Sequence, residues 1–124
     1  MLGSLFEIEI LILENELKEQ YDDVLDDLKL SSNEYKDWKT IHIDRIHLKP
    51  EFVGQDKGYP IIKQIFEFAL EKHCDVTLFW DTDSGQALED LWRYKYGFEY
   101  EPFSQDNKLI KLVTEIEFDL ENSI

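Results

Sequence analysis

Thr40-Ile-His-Ile-Asp-Arg-Ile-His-Leu48, followed by Gln55-Asp-Lys-Gly-Tyr-Pro60, is the passage on which the fold of this chain turns. Ile41 and Ile43 share one parity of an extended strand, and Ile46 and Leu48 share the other, so the phase slips at Asp44-Arg45. A one-residue insertion, a β-bulge, produces such a slip; it bends the strand and leaves backbone groups unpaired. A strand buried on both faces would tolerate the same pattern. After the turn, Pro60 suits the first turn of a helix, where its missing N–H would have no partner anyway. Ile62, Ile65, Phe66 and Ala69 then make a buried helical stripe that ends near Lys72. Backbone N–H groups at a strand-to-helix junction converge on one point, which suits a phosphate. Gly58 falls there.

Outward from this core, Asp75 to Trp80 reads as a short buried strand and Asp81 to Gly85 as a loop. Asp83 or Ser84 can cap a following helix that carries Ala87, Leu88, Leu91 and Trp92 inward and is terminated by Gly97. Leu109 to Phe118 reads as a last long strand, with Ile110, Leu112, Ile116 and Phe118 on one side. Toward the N-terminus, Phe6 to Leu13 alternates Phe6, Ile8, Ile10 and Ile12 against Glu7 and Glu9, which predicts a half-buried strand. Leu17, Tyr21, Val24, Leu25 and Leu28 recur at helical spacing and predict a helix over 15–30 with an acidic outer side. Ser31 to Lys39, with Trp38, reads as a loop. The alternation of strands and helices implies an α/β fold, one domain over residues 1–124, built on a right-handed βαβ crossover. In such sheets ligands sit at the carboxyl ends of the strands.

Charge and composition narrow the partners. Thirteen basic residues against 28 acidic ones give −15 at pH 7. That field repels nucleic acid and anionic lipid and favours cationic partners. At 43% hydrophobic and 14% aromatic residues the chain can bury a core. No apolar run reaches membrane-spanning length, no cleavable signal pattern is present, and one cysteine, Cys74, precludes an internal disulfide; together these predict a cytoplasmic protein. Asp81 and Asp83 lack further metal ligands beside them, and His42 and His47 point to opposite faces of a regular strand, so no metal is expected.

The order of bulged strand, Pro50-Glu51-Phe52, glycine turn, helix, strand and a helix ending in Gly97-Phe98 resembles the GNAT superfamily of acyl-CoA-dependent N-acetyltransferases. The likeness covers about Thr40 to Leu112. Gln55-x-x-Gly58-x-Pro60 is similar to that family's pyrophosphate loop, Gln/Arg-x-x-Gly-x-Gly/Ala, with Pro60 in the last position. The resemblance implies a GNAT-like mixed sheet with a bulged central strand and helices on its faces. It implies acetyl-CoA (coenzyme A) as cofactor, with the pyrophosphate on the N–H groups of Lys57, Gly58 and Tyr59 beside Gln55, and the pantetheine paired with the backbone of Ile46 and Leu48. The acceptor amine attacks directly, so the protein supplies a base, an acid and orientation.

His42 and Asp44 are the candidate bases. The family often places a proton-donating tyrosine four residues before the Gly of Gly-Phe; Arg93 stands there, and Tyr94, one residue on, is about 100° round a helix. Tyr96 is also near, and a packing role is its ordinary reading. Before the bulged strand the chain is shorter than family members usually are, which implies an altered acceptor wall. An acidic surface suits a cationic acceptor: a protein lysine or N-terminus, or a polyamine. A second reading is a non-catalytic GNAT-like protein whose acidic helix, with Asp22, Asp23, Asp26 and Asp27, mimics nucleic acid and binds a basic protein. Self-association through the N-terminal strand is a third possibility.

Overall fold

The computed structural model describes residues 4–53, 55–79, 93, 95–100, 108–111 and 113–122. Its elements are α1 (Leu5–Gln20), β1 (Leu25–Tyr35), β2 (Trp38–Leu48), a 3₁₀ turn (Pro50–Phe52), α2 (Tyr59–Lys72), β3 (Asp75–Phe79), β4 (Glu99–Tyr100), β5 (Lys108–Lys111) and α3 (Val113–Asn122). The five strands form one mixed sheet in the order β1-β2-β3-β5-β4. Only β2 and β3 run parallel, joined through α2, as a βαβ unit requires.

The N-terminal expectations are corrected. Phe6 to Leu13 is helix, not strand. The run satisfies both periods locally, but Leu13 and Leu17 extend only the helical one, and Phe6, Ile10, Leu13 and Leu17 are the buried apolar residues while Ile8 and Ile12 are exposed. Ser4 starts the helix, its Oγ accepting the Glu7 N–H at 3.1 Å; Ser-x-x-Glu before an apolar run is a capping signal. The helix expected over 15–30 stops at Gln20. Leu25, Leu28 and Leu30 are instead buried on β1, which continues to Tyr35 through most of the expected loop. Crowded carboxylates at Asp22, Asp23, Asp26 and Asp27 weaken a helix, and dividing them between a turn and β1 spreads them.

A two-residue turn with Lys36 at φ 55° joins β1 to β2, and Tyr35 pairs Trp38 across it. Trp38 thus opens β2 and donates from Nε1 to Asp75 Oδ2 at 2.6 Å. The phase slip in β2 is a bulge: Lys29 pairs Arg45 and Leu30 pairs Ile43, leaving Asp44 as the extra residue. Burial on both faces is ruled out there, because Asp44 and Arg45 are exposed. β1 has an irregularity of its own at Asp26.

α2 runs as expected, burying Ile61, Ile62, Ile65, Phe66 and Ala69. α1 and α2 pack into one core with Ile41, Ile43, Val76, Leu78 and Leu109, and the Glu9–Lys72 ion pair (2.5 Å) ties the two helices together. The long last strand is also corrected: β5 ends at Lys111 and α3 follows. Ile116 and Leu120, a helical interval apart, face the core while Phe118 is exposed. Lys111 is buried on β5, where Nζ donates to the Tyr96 carbonyl at 2.6 Å and pairs Asp119 of α3. The helix expected from Asp83 or Ser84 lies almost wholly outside the described residues. Gly97, its expected terminator, has φ 77°, the left-handed backbone that glycine adopts freely.

Candidate active site

The bulge decides what β2 presents. Across a two-residue hairpin the flanking pair is hydrogen-bonded, so Trp38, Thr40 and His42 turn their backbone groups toward β1, and Ile41 and Ile43 turn theirs toward β3. The extra residue at Asp44 resets this alternation. Beyond it His47 faces β1, as does Lys49, whose N–H donates to the Val24 carbonyl at 2.9 Å. Ile46 and Leu48 therefore face the opposite side. Among the described residues the parallel register with β3 ends at Ile43–Leu78, and Ile46 and Leu48 lie beyond it. An extended chain carrying amides can pair there as a strand would.

Leu48 leads to the glycine turn. A Cβ placed on Gly58 would lie 3.7 Å from Leu48 Cδ1 and 3.9 Å from the Tyr96 hydroxyl, both ordinary contacts. The Gly58 backbone (φ −78°, ψ −21°) is right-handed. Neither strain nor packing inside the protein requires glycine here; a bare backbone surface serves close approach from outside. The N–H groups of Lys57, Gly58 and Ile61 have no acceptor among the described residues. The Tyr59 N–H is engaged, donating to the Asp56 carbonyl at 3.3 Å, so Ile61 takes the place expected for Tyr59. Gln55 closes the turn itself, donating from Nε2 to the Glu51 carbonyl at 2.8 Å. Asp56, at φ 58°, pairs with Lys95. The Tyr59 and Tyr96 rings stack with centroids 6.3 Å apart. Burial, then the neighbouring Tyr59, pushes the Tyr96 phenol up, which keeps it a neutral O–H donor. These groups fit a diphosphate.

The two candidate bases are brought together. His42 and Asp44 stand on the same strand, with His42 Nε2 3.6 Å from Asp44 Oδ1. Ser31 of β1 donates from Oγ to Asp44 Oδ1 at 3.0 Å, and Thr77 Oγ1 of β3 lies 2.8 Å from His42 Nδ1. Sequence reading found the pair but missed Ser31 and Thr77, because both neighbours come from strand register: Ser31 and Thr77 flank His42 on either side. Tyr94 lies outside the described residues, as do Asp81 and Asp83.

The acidic helix of the nucleic-acid-mimic reading does not form. Asp22 and Asp23 lie in the turn after α1, Asp26 and Asp27 lie on β1, and Asp27 is paired with Arg45 at 2.6 Å. Among the described residues, no group of three or more His, Cys, Asp or Glu could hold a metal ion. No helix among them is long and apolar enough to cross a membrane.

No protein-family model matches the chain. It is 36% identical over 61 residues to the thialysine N-ε-acetyltransferase of Bos taurus, covering 48% of this chain. That match spans 36%, about a third, of the relative's length. Among solved structures, a tyrosine mutant of the AtaT toxin bound to the C-terminus of the antitoxin AtaR and acetyl-CoA superposes with TM-score 0.57 at 13% identity, over 75% of this chain and 60% of that one. The KacTA–DNA complex gives 0.60 at 14% identity, over 94% and 86%. With the sheet order, the bulged strand and the glycine turn already described, these likenesses show that the chain has a GNAT-like fold.

Proposed function

We propose that this protein is an acetyl-CoA-dependent N-acetyltransferase acting on a primary amine of a cationic acceptor, a lysine or N-terminus of a basic protein or a polyamine, in the cytoplasm. One observation carries the reading. The side of β2 turned away from β1 ends at Leu48, beyond the register with β3 among the described residues, and its side chain lies 3.7 Å from a Cβ position on Gly58. A backbone edge that pairs with amides therefore runs straight into a turn that suits a diphosphate, and coenzyme A has those two parts in that order.

Acetyl-CoA supplies an acyl group activated as a thioester. The amides of Lys57, Gly58 and Ile61 hold the anionic end, with Lys57 adding positive charge to a chain that carries −15. Ile46 and Leu48 align the arm along β2. Asp44 and His42 are the candidate bases for the proton released when the ammonium of the acceptor becomes the attacking amine. Tyr94 is the proton donor we assign to the departing thiolate. The thialysine N-ε-acetyltransferase likeness supports an amine acceptor. The net charge supports a cationic one.

Calorimetric titration with acetyl-CoA, at low and at physiological salt, tests this. Binding is expected at both, with salt screening the repulsion between the anionic cofactor and the −15 chain. No heat at millimolar cofactor would end the reading.

A further inference from the structure

Of the two candidate bases, the geometry points to Asp44 as the group that meets the acceptor ammonium, with His42 held as an N–H donor behind it by Thr77. This rests on the acetyltransferase reading and adds the division of labour within its site.

The atoms that can donate set the arrangement. An ionised carboxylate only accepts, so the proton of a neutral His42 belongs on Nε2, the nitrogen 3.6 Å from Asp44 Oδ1. Nδ1 is then an acceptor, and it lies 2.8 Å from the Thr77 hydroxyl, which can donate to it. Thr77 is 1% exposed, so its O–H cannot turn to water instead. His42 and Thr77 are directly opposed in the β2–β3 register, which fixes their separation through two backbones. The basic lone pair of His42 is thereby occupied against the neighbouring strand. It is turned away from the carboxylate and cannot take a proton on the side where Asp44 stands.

Asp44 has the opposite character. Its side chain is 31% exposed against 16% for His42. The bulge that makes Asp44 the unpaired residue of β2 also sets it apart from the ladder, at the point where β3 pairing has stopped. Ser31 donates to its Oδ1 at 3.0 Å, anchoring the carboxylate from the β1 side. Ser31, Asp44, His42 and Thr77 thus form one polar line across three strands. Its only acceptor-only member is Asp44, and an anion is the group that attracts an ammonium. Thr77 and Ser31 are positioning residues.

The ring tautomer is read on the unliganded protein by nitrogen-15 NMR of His42 with its proton-coupled ring carbons. An Nε2–H tautomer is expected, lost as a single fixed form in Thr77→Val and restored in Thr77→Ser. Kinetics with acetyl-CoA and spermidine as probe acceptor give the second arm. Asp44→Asn should lower kcat/KM for spermidine by about 100-fold or more, in the range of a lost general base. Thr77→Val should lower it by about 10-fold with the KM for acetyl-CoA unchanged, and Thr77→Ser should recover it. An Nδ1–H tautomer in the wild-type protein overturns the inference. So does His42→Gln losing more activity than Asp44→Asn. If wild-type protein neither binds nor turns over acetyl-CoA, the acetyltransferase reading fails, and the tautomer alone then decides the arrangement of the four residues.

Discussion

Glu14 and Leu30 are joined by a hydrogen bond that ties α1 to the edge of the sheet: the Leu30 N–H donates to Glu14 Oε1 at 2.7 Å. Leu30 sits in a wide pair with Ile43, so its N–H turns off the open edge of β1, next to the bulge. Glu14 is 4% exposed and also faces Lys18 (3.5 Å) and Lys29 (4.0 Å). Glu14→Leu leaves a buried N–H unpaired and should cost about 1–3 kcal/mol in urea unfolding. Glu14→Gln keeps an acceptor and should cost less; equal losses would show that charge, not the N–H, sets the value.

Gly58 separates binding from folding. Because a Cβ there makes only ordinary contacts at 3.7 and 3.9 Å, Gly58→Ala should leave the unfolding midpoint within about 0.5 kcal/mol of wild type. Acetyl-CoA affinity should fall by about 10-fold in Gly58→Ala and further in Gly58→Val, measured by calorimetry. Retained affinity in Gly58→Val would remove the turn from the site.

Gly97 behaves in the opposite way. Its φ of 77° strains any side chain, and a Cβ would come within 2.7 Å of Lys111 Nζ. That ammonium cannot step aside cheaply, since it also holds the Tyr96 carbonyl. Gly97→Ala should destabilise the fold by about 1–3 kcal/mol, detected as a lower Tm.

Cys74 is buried, and burial pushes its thiol up to about 11. It should resist disulfide-exchange reagents at pH 8 in the folded protein and react on unfolding. The folded value lies above the ordinary 9.0, so this contribution to stability is whole below pH 9.0 and fades as pH rises toward 11. Rapid labelling under native conditions at pH 8 would contradict the burial.

Asp27 has the reverse sign. Its hydrogen bond to Arg45 holds the carboxyl below the ordinary 3.8, so the pair supports the fold above that pH and is lost as pH falls through the lowered value. Both side chains are exposed, so salt should screen the pair. Asp27→Asn should flatten acid unfolding slightly at low salt and leave it unchanged at high salt.

The candidate site was more legible in the sequence than the periphery of the fold. The phase slip at Asp44-Arg45, the glycine turn and the α2 stripe were readable because each is a local departure from a period or a local backbone demand, while the pairing register singled out Asp44 as the extra residue. The Ser31 and Thr77 hydroxyls were not, since strand register alone sets them beside Asp44 and His42. The N-terminal helix was missed although Ser4-Leu5-Phe6-Glu7 carries a capping pattern, because the alternation of Phe6, Ile8, Ile10 and Ile12 is just as good a strand signal.

The order of residues alone determined where the backbone would break phase and where a glycine would leave it bare, since both follow from neighbours along the chain. Only tertiary structure decided that Leu5 to Gln20 coils and that α3 replaces the end of a strand. Each of those segments satisfies two periods at once, and the choice falls to whichever face finds apolar partners: Leu17 and Ile116 are both fully buried. The end of the β2–β3 register at Ile43 belongs to the same class. A strand has unpaired groups only with respect to a neighbour, and the neighbour, β3, lies an entire helix further along the chain.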